Sequence, residues 1–178
     1  MKKIILSALA LVAFTFANAQ DTEQTATGKW LIEANTGFGA AHTANTGFRY
    51  YAISDDGGSG YNLGLEGGYF VMDNLALKVG LGYGSNKQNS DADSFSTFSY
   101  KIGAKYYVTG KIPLQVDYSG LSVKDADDNP SFLGLQAGYA IFLGDVVSIE
   151  PGVRYNLTLD DEIAQSVFQL NIGFAVHL

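Results

Sequence analysis

The last thirteen residues, SVFQLNIGFAVHL, alternate without a break: Phe168, Leu170, Ile172, Phe174, Val176 and Leu178 share one parity, and Gln169, Asn171, Gly173, Ala175 and His177 share the other. A period of two puts these sets on opposite faces of a β-strand. Seven earlier segments carry the same two-faced pattern. Residues 29–39 set Trp30, Ile32 and Phe38 against Leu31, Glu33 and Gly37. Residues 61–71 set Tyr61, Leu63, Leu65 and Tyr69 against Asn62, Gly64, Glu66 and Gly68. Residues 75–84, 98–108, 112–119, 133–143 and 147–158 repeat the alternation. The connections run long at 40–60, 85–94 and 124–130, short at 72–74, 109–111 and 144–145, and moderate at 160–165. The pattern predicts an all-β chain of eight antiparallel strands in up-and-down order. Pro151 removes a ladder donor in mid-strand, which predicts a local bulge, whereas Pro113 stands near a strand start, where proline is tolerated.

The composition of the two faces decides which one points inward. No Asp, Glu, Lys or Arg occurs on the apolar parity, while the other parity holds Glu33, Glu66, Lys78, Lys101, Lys105, Asp117, Glu150 and Arg154. A soluble barrel would place the apolar set inside. Against that, most strand glycines accompany the charges, where the crowded interior of a narrow barrel needs room for long side chains. The apolar parity also carries rings near one set of strand ends (Phe38, Tyr61, Tyr83, Phe98, Tyr118, Tyr155, Phe168) and near the other (Trp30, Tyr69, Tyr106, Tyr139, Phe174). Two aromatic belts around an aliphatic band, with loops and turns alternating in length, are the pattern of a membrane-spanning barrel. The apolar face is therefore expected to meet lipid.

The N-terminus fits that reading. Lys2 and Lys3 precede the apolar run 4–16, and Ala17, Asn18 and Ala19 form a small-x-small cleavage site, so residues 1–19 read as a secretory signal peptide. Cleavage after Ala19 takes the formal charge from −7 to −9, an acidic balance that argues against a nucleic-acid partner. Residues 20–28 are polar and read as an exposed lead-in, and the barrel is expected over 29–178. The chain has no cysteine, so neither a disulfide framework nor a lipid-modified cysteine is available.

The unit GGYFVMDNLAL at 67–77, followed by Gly80, Gly82 and Tyr83, resembles the strand–turn–strand unit of bacterial outer-membrane β-barrel domains. The segment 29–178 is similar to the small eight-stranded barrels of the OmpX/Ail type and to the transmembrane half of OmpA. Asn171, Gly173, Val176 and Leu178 resemble the C-terminal insertion signal of such proteins, with leucine where an aromatic residue is commonest. The resemblance implies a bacterial outer-membrane location, contact with outer-membrane lipid and the barrel-insertion machinery, and a monomer. It does not fix a function, because one fold hosts many roles; the expectation is a structural or surface-contact, adhesion-like role with an extracellular partner at the outer loops, no catalysis and no cofactor.

Four acids and four bases balance inside the expected lumen, and eight strands leave an interior just wide enough for side chains to fill. Paired charges are expected there, as a structural plug; a narrow gated pore for ions or small solutes is the rival. Counting back from the short turns sets Glu66 opposite Gly80 with Lys78 on the diagonal, and Asp117 opposite Gly103 with Lys101 and Lys105 on the diagonals, so Glu66 is expected to pair with Lys78 and Asp117 with Lys101 and Lys105. Asp125, Asp127 and Asn129, like Asn89, Asp91 and Asp93, open with calcium-loop spacing, but Pro130 and Ser94 replace the glycine and Gln136 and Tyr100 the glutamate, so both read as solvated loops. The only histidines are His42 and His177, and neither stands in a catalytic pattern. Phe48, Arg49, Tyr50 and Tyr51 in the first long connection are the candidate surface-contact group: a ribbon beyond the first two strands, or rings folded over the barrel mouth.

Overall fold

A computed structural model describes residues 23–39, 46–52, 57–87, 89, 93–124 and 129–178. The expected signal peptide and its cleavage site lie outside these residues. Ten strands follow in chain order: β1 (Trp30–Gly39), β2 (Arg49–Ala52), β3 (Ser59–Met72), β4 (Leu75–Lys87), β5 (Phe95–Val108), β6 (Ile112–Val123), β7 (Ser131–Gly138), β8 (Ile141–Leu143), β9 (Val147–Thr158) and β10 (Val167–His177). They make eight staves, because β8 continues β7 along β9, and β2 takes over from β1 beside β3. All pairings are antiparallel, and the sheet closes where β1 meets both β10 and β3.

The closure is unequal on its two sides. With β10, β1 pairs from Leu31↔His177 through Gly39↔Gln169. With β3 it pairs only from Trp30↔Tyr69 to Glu33↔Glu66. Above that point β2 lies along β3 from Arg49↔Asn62 to Ala52↔Ser59. Thr46 and Gly47 fill the junction: the Phe48 amide donates to the Asn35 carbonyl at 2.7 Å, and the Asn62 side-chain amide donates to the Gly47 carbonyl at 3.0 Å.

Side chains alternate as the period requires. On β4, Leu77, Val79, Leu81 and Tyr83 are exposed on the outside, while Ala76, Lys78, Gly80 and Gly82 are buried inside. The same holds round the barrel: Glu33, Glu66, Lys78, Lys101, Lys105, Asp117, Glu150 and Arg154 are all buried in the lumen, whereas Arg49 of β2 and Lys87 of β4 are not. The fold is thus inverted relative to a soluble protein: its exposed surface is leucine, valine and aromatic rings, and its interior is mostly polar. A small apolar cluster of Leu31, Phe70, Ala76, Tyr107, Ala140 and Ala175 closes the end of the lumen that carries the short turns.

Two expectations are corrected. The bulge predicted at Pro151 is absent, since register is unbroken both toward β10, where Ile172 faces Pro151, and between Gly138↔Gly152 and Ile141↔Ile149 on the other side. The missing donor instead interrupts the neighbouring stave. Tyr139 donates to the Pro151 carbonyl at 3.0 Å but receives nothing back, and the next amide, Ala140, turns to the Lys111 carbonyl at 2.7 Å. This separates β7 from β8. A register shift does occur between Phe70 and Met72, next to the turn in which Asn74 takes a φ of 67°.

Over its described residues, 23–28, the lead-in is also not simply exposed. Glu23–Thr25 form a turn of 3-10 helix, and Thr25 is buried. The segment is strapped beneath the turn at 72–74. Asn74 donates its amide to the Thr25 carbonyl at 2.7 Å, Gly28 donates to the Phe70 carbonyl at 2.9 Å, and Thr27 donates its amide and hydroxyl to one Asp73 carboxylate oxygen at 2.8 and 2.6 Å. The threonines that look solvated in the sequence are the partners that a tight turn needs for its orphaned groups.

The Thr27 hydroxyl and amide hold the Asp73 carboxyl below the usual aspartate range. A lowered folded-state value means that the carboxylate's contribution is complete above the unfolded-state value and is lost as pH falls through the folded one. The strap is therefore expected to loosen only below the ordinary aspartate range, with faster hydrogen exchange at the Thr27 amide. Asp73→Asn should remove that pH dependence.

Candidate functional site

The lumen is the site the sequence pointed to, and each strand delivers its charge by parity alone. Lys105 from β5 lies at the centre. It contacts Glu33 Oε2 of β1 at 2.6 Å and also Glu150 of β9. Lys78 of β4 bridges Glu33 at 2.9 Å and Glu66 at 2.8 Å, and Glu66 holds Lys101 at 2.6 Å. Arg154 of β9 grips Asp117 of β6 with two nitrogens, at 2.6 and 2.7 Å, the bidentate geometry that favours arginine over lysine.

Gln115 joins the two parts. It accepts from Lys78 at 2.9 Å and donates to Asp117 at 2.7 Å, so all eight charges belong to one hydrogen-bonded network. Arg154 carries it onward through Asn156 to Gln169, at 2.8 and 2.9 Å. Thr46 reaches in from the first connection and donates to Glu66 at 2.6 Å. Every acid thus has a base in contact, as burial of charge demands.

The sequence pattern put all eight residues on the correct face and Glu66 beside Lys78, but it assigned Asp117 to Lys101 and Lys105. Those diagonals exist, since Asp117 faces Gly103 with Lys101 and Lys105 two residues to either side. Asp117 turns the other way because Gly134 faces it from β7. A side chain there would start 2.1 Å from Arg154 Nη2 and 2.6 Å from Asp117 Oδ1, so glycine opens the passage through which Arg154 arrives. Lys101 and Lys105 are left for acids across the barrel.

Sequence reasoning missed the polar residues that complete the network at the turn end. The Tyr107 hydroxyl donates to Glu150 Oε1 at 2.8 Å, and the Ser148 hydroxyl lies 2.9 Å from the same oxygen and 3.0 Å from His177 Nε2. His177 Nδ1 lies 3.1 Å from the Gln24 carbonyl of the strap. A serine beside a histidine invites a nucleophilic reading. Here both are fully buried, with the histidine among the rings of Phe70, Tyr107 and Phe142, so a substrate has no approach to either.

At the other end of the barrel, the Phe48–Tyr51 group stands on the ribbon of β2 and β3 and not folded over the mouth. Phe48 is 54% and Tyr50 71% exposed, Arg49 lies over the Tyr51 ring at 5.5 Å, and the Tyr51 hydroxyl reaches Asn86 at 3.3 Å. Cross-strand pairing with Tyr61 fixes Tyr50 outward. Of the two loops with calcium-like spacing, the Asn129 side chain accepts from the Val123 amide at 2.8 Å, while Asp91, Asp125 and Asp127 lie outside the described residues, as does His42. In the C-terminal motif Asn171 and Gly173 point inward and Val176 and Leu178 outward. Leu178 exchanges two backbone bonds with Trp30, each 2.8 Å.

No protein-family model matches the sequence, and neither does any curated protein. Among solved structures, Ail of Yersinia pestis in a phospholipid bilayer nanodisc aligns with a TM-score of 0.51 at 12% identity, over 85% of this chain and 99% of Ail. The N-terminal β-barrel domain of Pseudomonas aeruginosa OprF aligns at 0.48 and 16%, over 85% of this chain and 98% of that domain. Neisserial surface protein A aligns at 0.46 and 15%, over 83% and 95%. With closure, strand number and inverted faces already established, the alignment to Ail gives the chain the fold of the small eight-stranded outer-membrane barrels.

Proposed function

We propose that this chain is a non-catalytic integral barrel of the bacterial outer membrane, sealed through its lumen by ion pairs and acting at the cell surface through the β2–β3 ribbon. The observation that carries the reading is the continuous network from Lys101 to Arg154, which joins all eight lumenal charges across the interior. An open water path would leave these groups separately hydrated. The outer face carries no charge between its two aromatic belts, which supports residence in lipid, since a charge there costs about 2–4 kcal/mol at the bilayer midplane. The ribbon presents Phe48 and Tyr50 to the outside, the kind of exposed aromatic group that a surface partner recognises. The barrel acts as a monomer, inserted by the barrel-assembly machinery.

Planar-bilayer recording of the refolded protein tests the seal. The expected record is a quiet bilayer with no stepwise conductance. Steady unitary steps from the unmodified chain would replace the sealed lumen with a small diffusion pore.

A further inference from the structure

Gly67 is a glycine that the backbone does not require. Its φ is not positive, and a Cβ added there meets nothing within 4 Å. By contrast, a Cβ on the inward-facing Gly103 would start 2.5 Å from that of Asp117. Gly67 stands on the outer face of β3 between Leu65 and Tyr69, where glycine weakens a strand interior by its freedom in the unfolded chain. What glycine does there is hollow the surface. A depression of about 420 Å³ is lined by Trp30, Gly67, Tyr69, Leu77, Val79 and Ile102. It overlies the short seam in which Ile32 faces Gly67, and Trp30 packs edge-on against Tyr69 across that seam at 5.1 Å between ring centres.

We propose that this hollow is a binding site for one acyl chain of an inner-leaflet phospholipid. The inference rests on the membrane reading above and adds a specific occupant to it. The hollow is continuous with the surface that faces lipid, and the one charged residue along it, Lys78, has its ammonium held inside the barrel by Glu33 and Glu66. It lies toward the end with the short turns and both strand termini, which in an outer-membrane barrel faces the periplasm and the phospholipid leaflet. Its volume, about 420 Å³, exceeds what one inserted side chain fills. Trp30 and Tyr69 belong to the aromatic belt at that end, whose rings sit at the interfacial level of a bilayer. A chain laid there covers β1, β3 and β4 together, over the weakest part of the closure.

The test uses the refolded mature chain with phospholipid at limiting concentration. Native mass spectrometry is expected to retain one phospholipid on the wild type, with retention falling about tenfold in Gly67→Leu. Leu170→Phe, elsewhere on the outer face, should retain lipid normally. In bilayers containing a small fraction of phospholipid brominated on its acyl chain, Trp30, the only tryptophan in the sequence, should be quenched beyond the level of random neighbours. Gly67→Leu should lose that excess, and Gly67→Ala, the milder variant if the leucine impairs folding, should lose part of it. Equal retention and quenching in wild type and both variants would overturn the site. So would a wild-type dimer that Gly67→Leu dissociates, because a second copy would then fill the hollow. A chain that never enters bilayers overturns the membrane reading itself, a result distinct from insertion without a held lipid.

Discussion

Lys105→Met is expected to destabilise the barrel more than neutralising any other lumenal lysine. Lys105 is fully buried and shared by Glu33 and Glu150, and it is the one base in contact with Glu150; Lys78 also bridges two acids, but its loss leaves Glu33 with Lys105 and Glu66 with Lys101. Breaking a buried pair from one side costs roughly 3–5 kcal/mol, because the remaining charge has lost both water and its partner. Tyr107, Ser148 and Lys78 still support the two acids, which keeps the effect within that range. Lys101→Met should cost less. Lys101 is slightly exposed and touches only Glu66, which keeps Lys78 at 2.8 Å. Denaturant midpoints in lipid vesicles, read from Trp30 fluorescence, give the comparison. The double variant Lys105→Met/Glu150→Gln should recover part of the loss, and the cycle measures the coupling. Equal costs for the two lysines would mean that water screens the lumen, and the sealed-barrel reading would fail.

Val79→Arg should block assembly into bilayers, while Ser85→Arg on the same face of the same strand should be nearly neutral. Val79 lies outward, midway between Leu75 at the turn and Tyr83 in the upper aromatic belt, which puts it near the middle of the apolar band. Arginine at that depth costs about 2–4 kcal/mol, and near the interface about 0–1 kcal/mol. Ser85 is beyond Tyr83 and pairs with Tyr61 at the base of the ribbon. Folding yield into vesicles, followed by the mobility difference between folded and unfolded chain on gels, separates the two. A penalty that does not change with depth would show that the outer face does not meet a bilayer.

Much of the fold is legible in the sequence because a β-strand records its environment at every second residue. The faces of all eight staves follow from parity, and short turns fix register pair by pair, so Glu66↔Gly80 and Gly103↔Asp117 are readable from the turns at 72–74 and 109–111. Contacts across the lumen are not readable that way. They depend on the stagger at which the sheet closes, a property of the whole ring that no single hairpin carries. Arg154, two staves from β6, is hidden for a nearer reason: the long connection at 124–130 leaves the β6–β7 register open, and with it the approach of Arg154 to Asp117. One signal was available: Gly134 stands between the two, the only small residue that lets them meet through the intervening stave. The strap at 23–28 was hidden for another reason. Its residues are polar whether they face water or satisfy a turn, and composition does not distinguish the two.

The pairing of Leu31 with His177 makes the first strand and the last strand neighbours. Each intermediate hairpin joins residues near in sequence and is able to form as soon as both arms are present. The joint that makes the barrel whole waits for β10, and it brings together the described strands farthest apart in sequence, the kind of contact that forms slowly. Assembly of this barrel therefore cannot be completed strand by strand from β1 onward. Until β10 is present β1 has no partner on that side, and an open-edged sheet must be shielded by something other than itself.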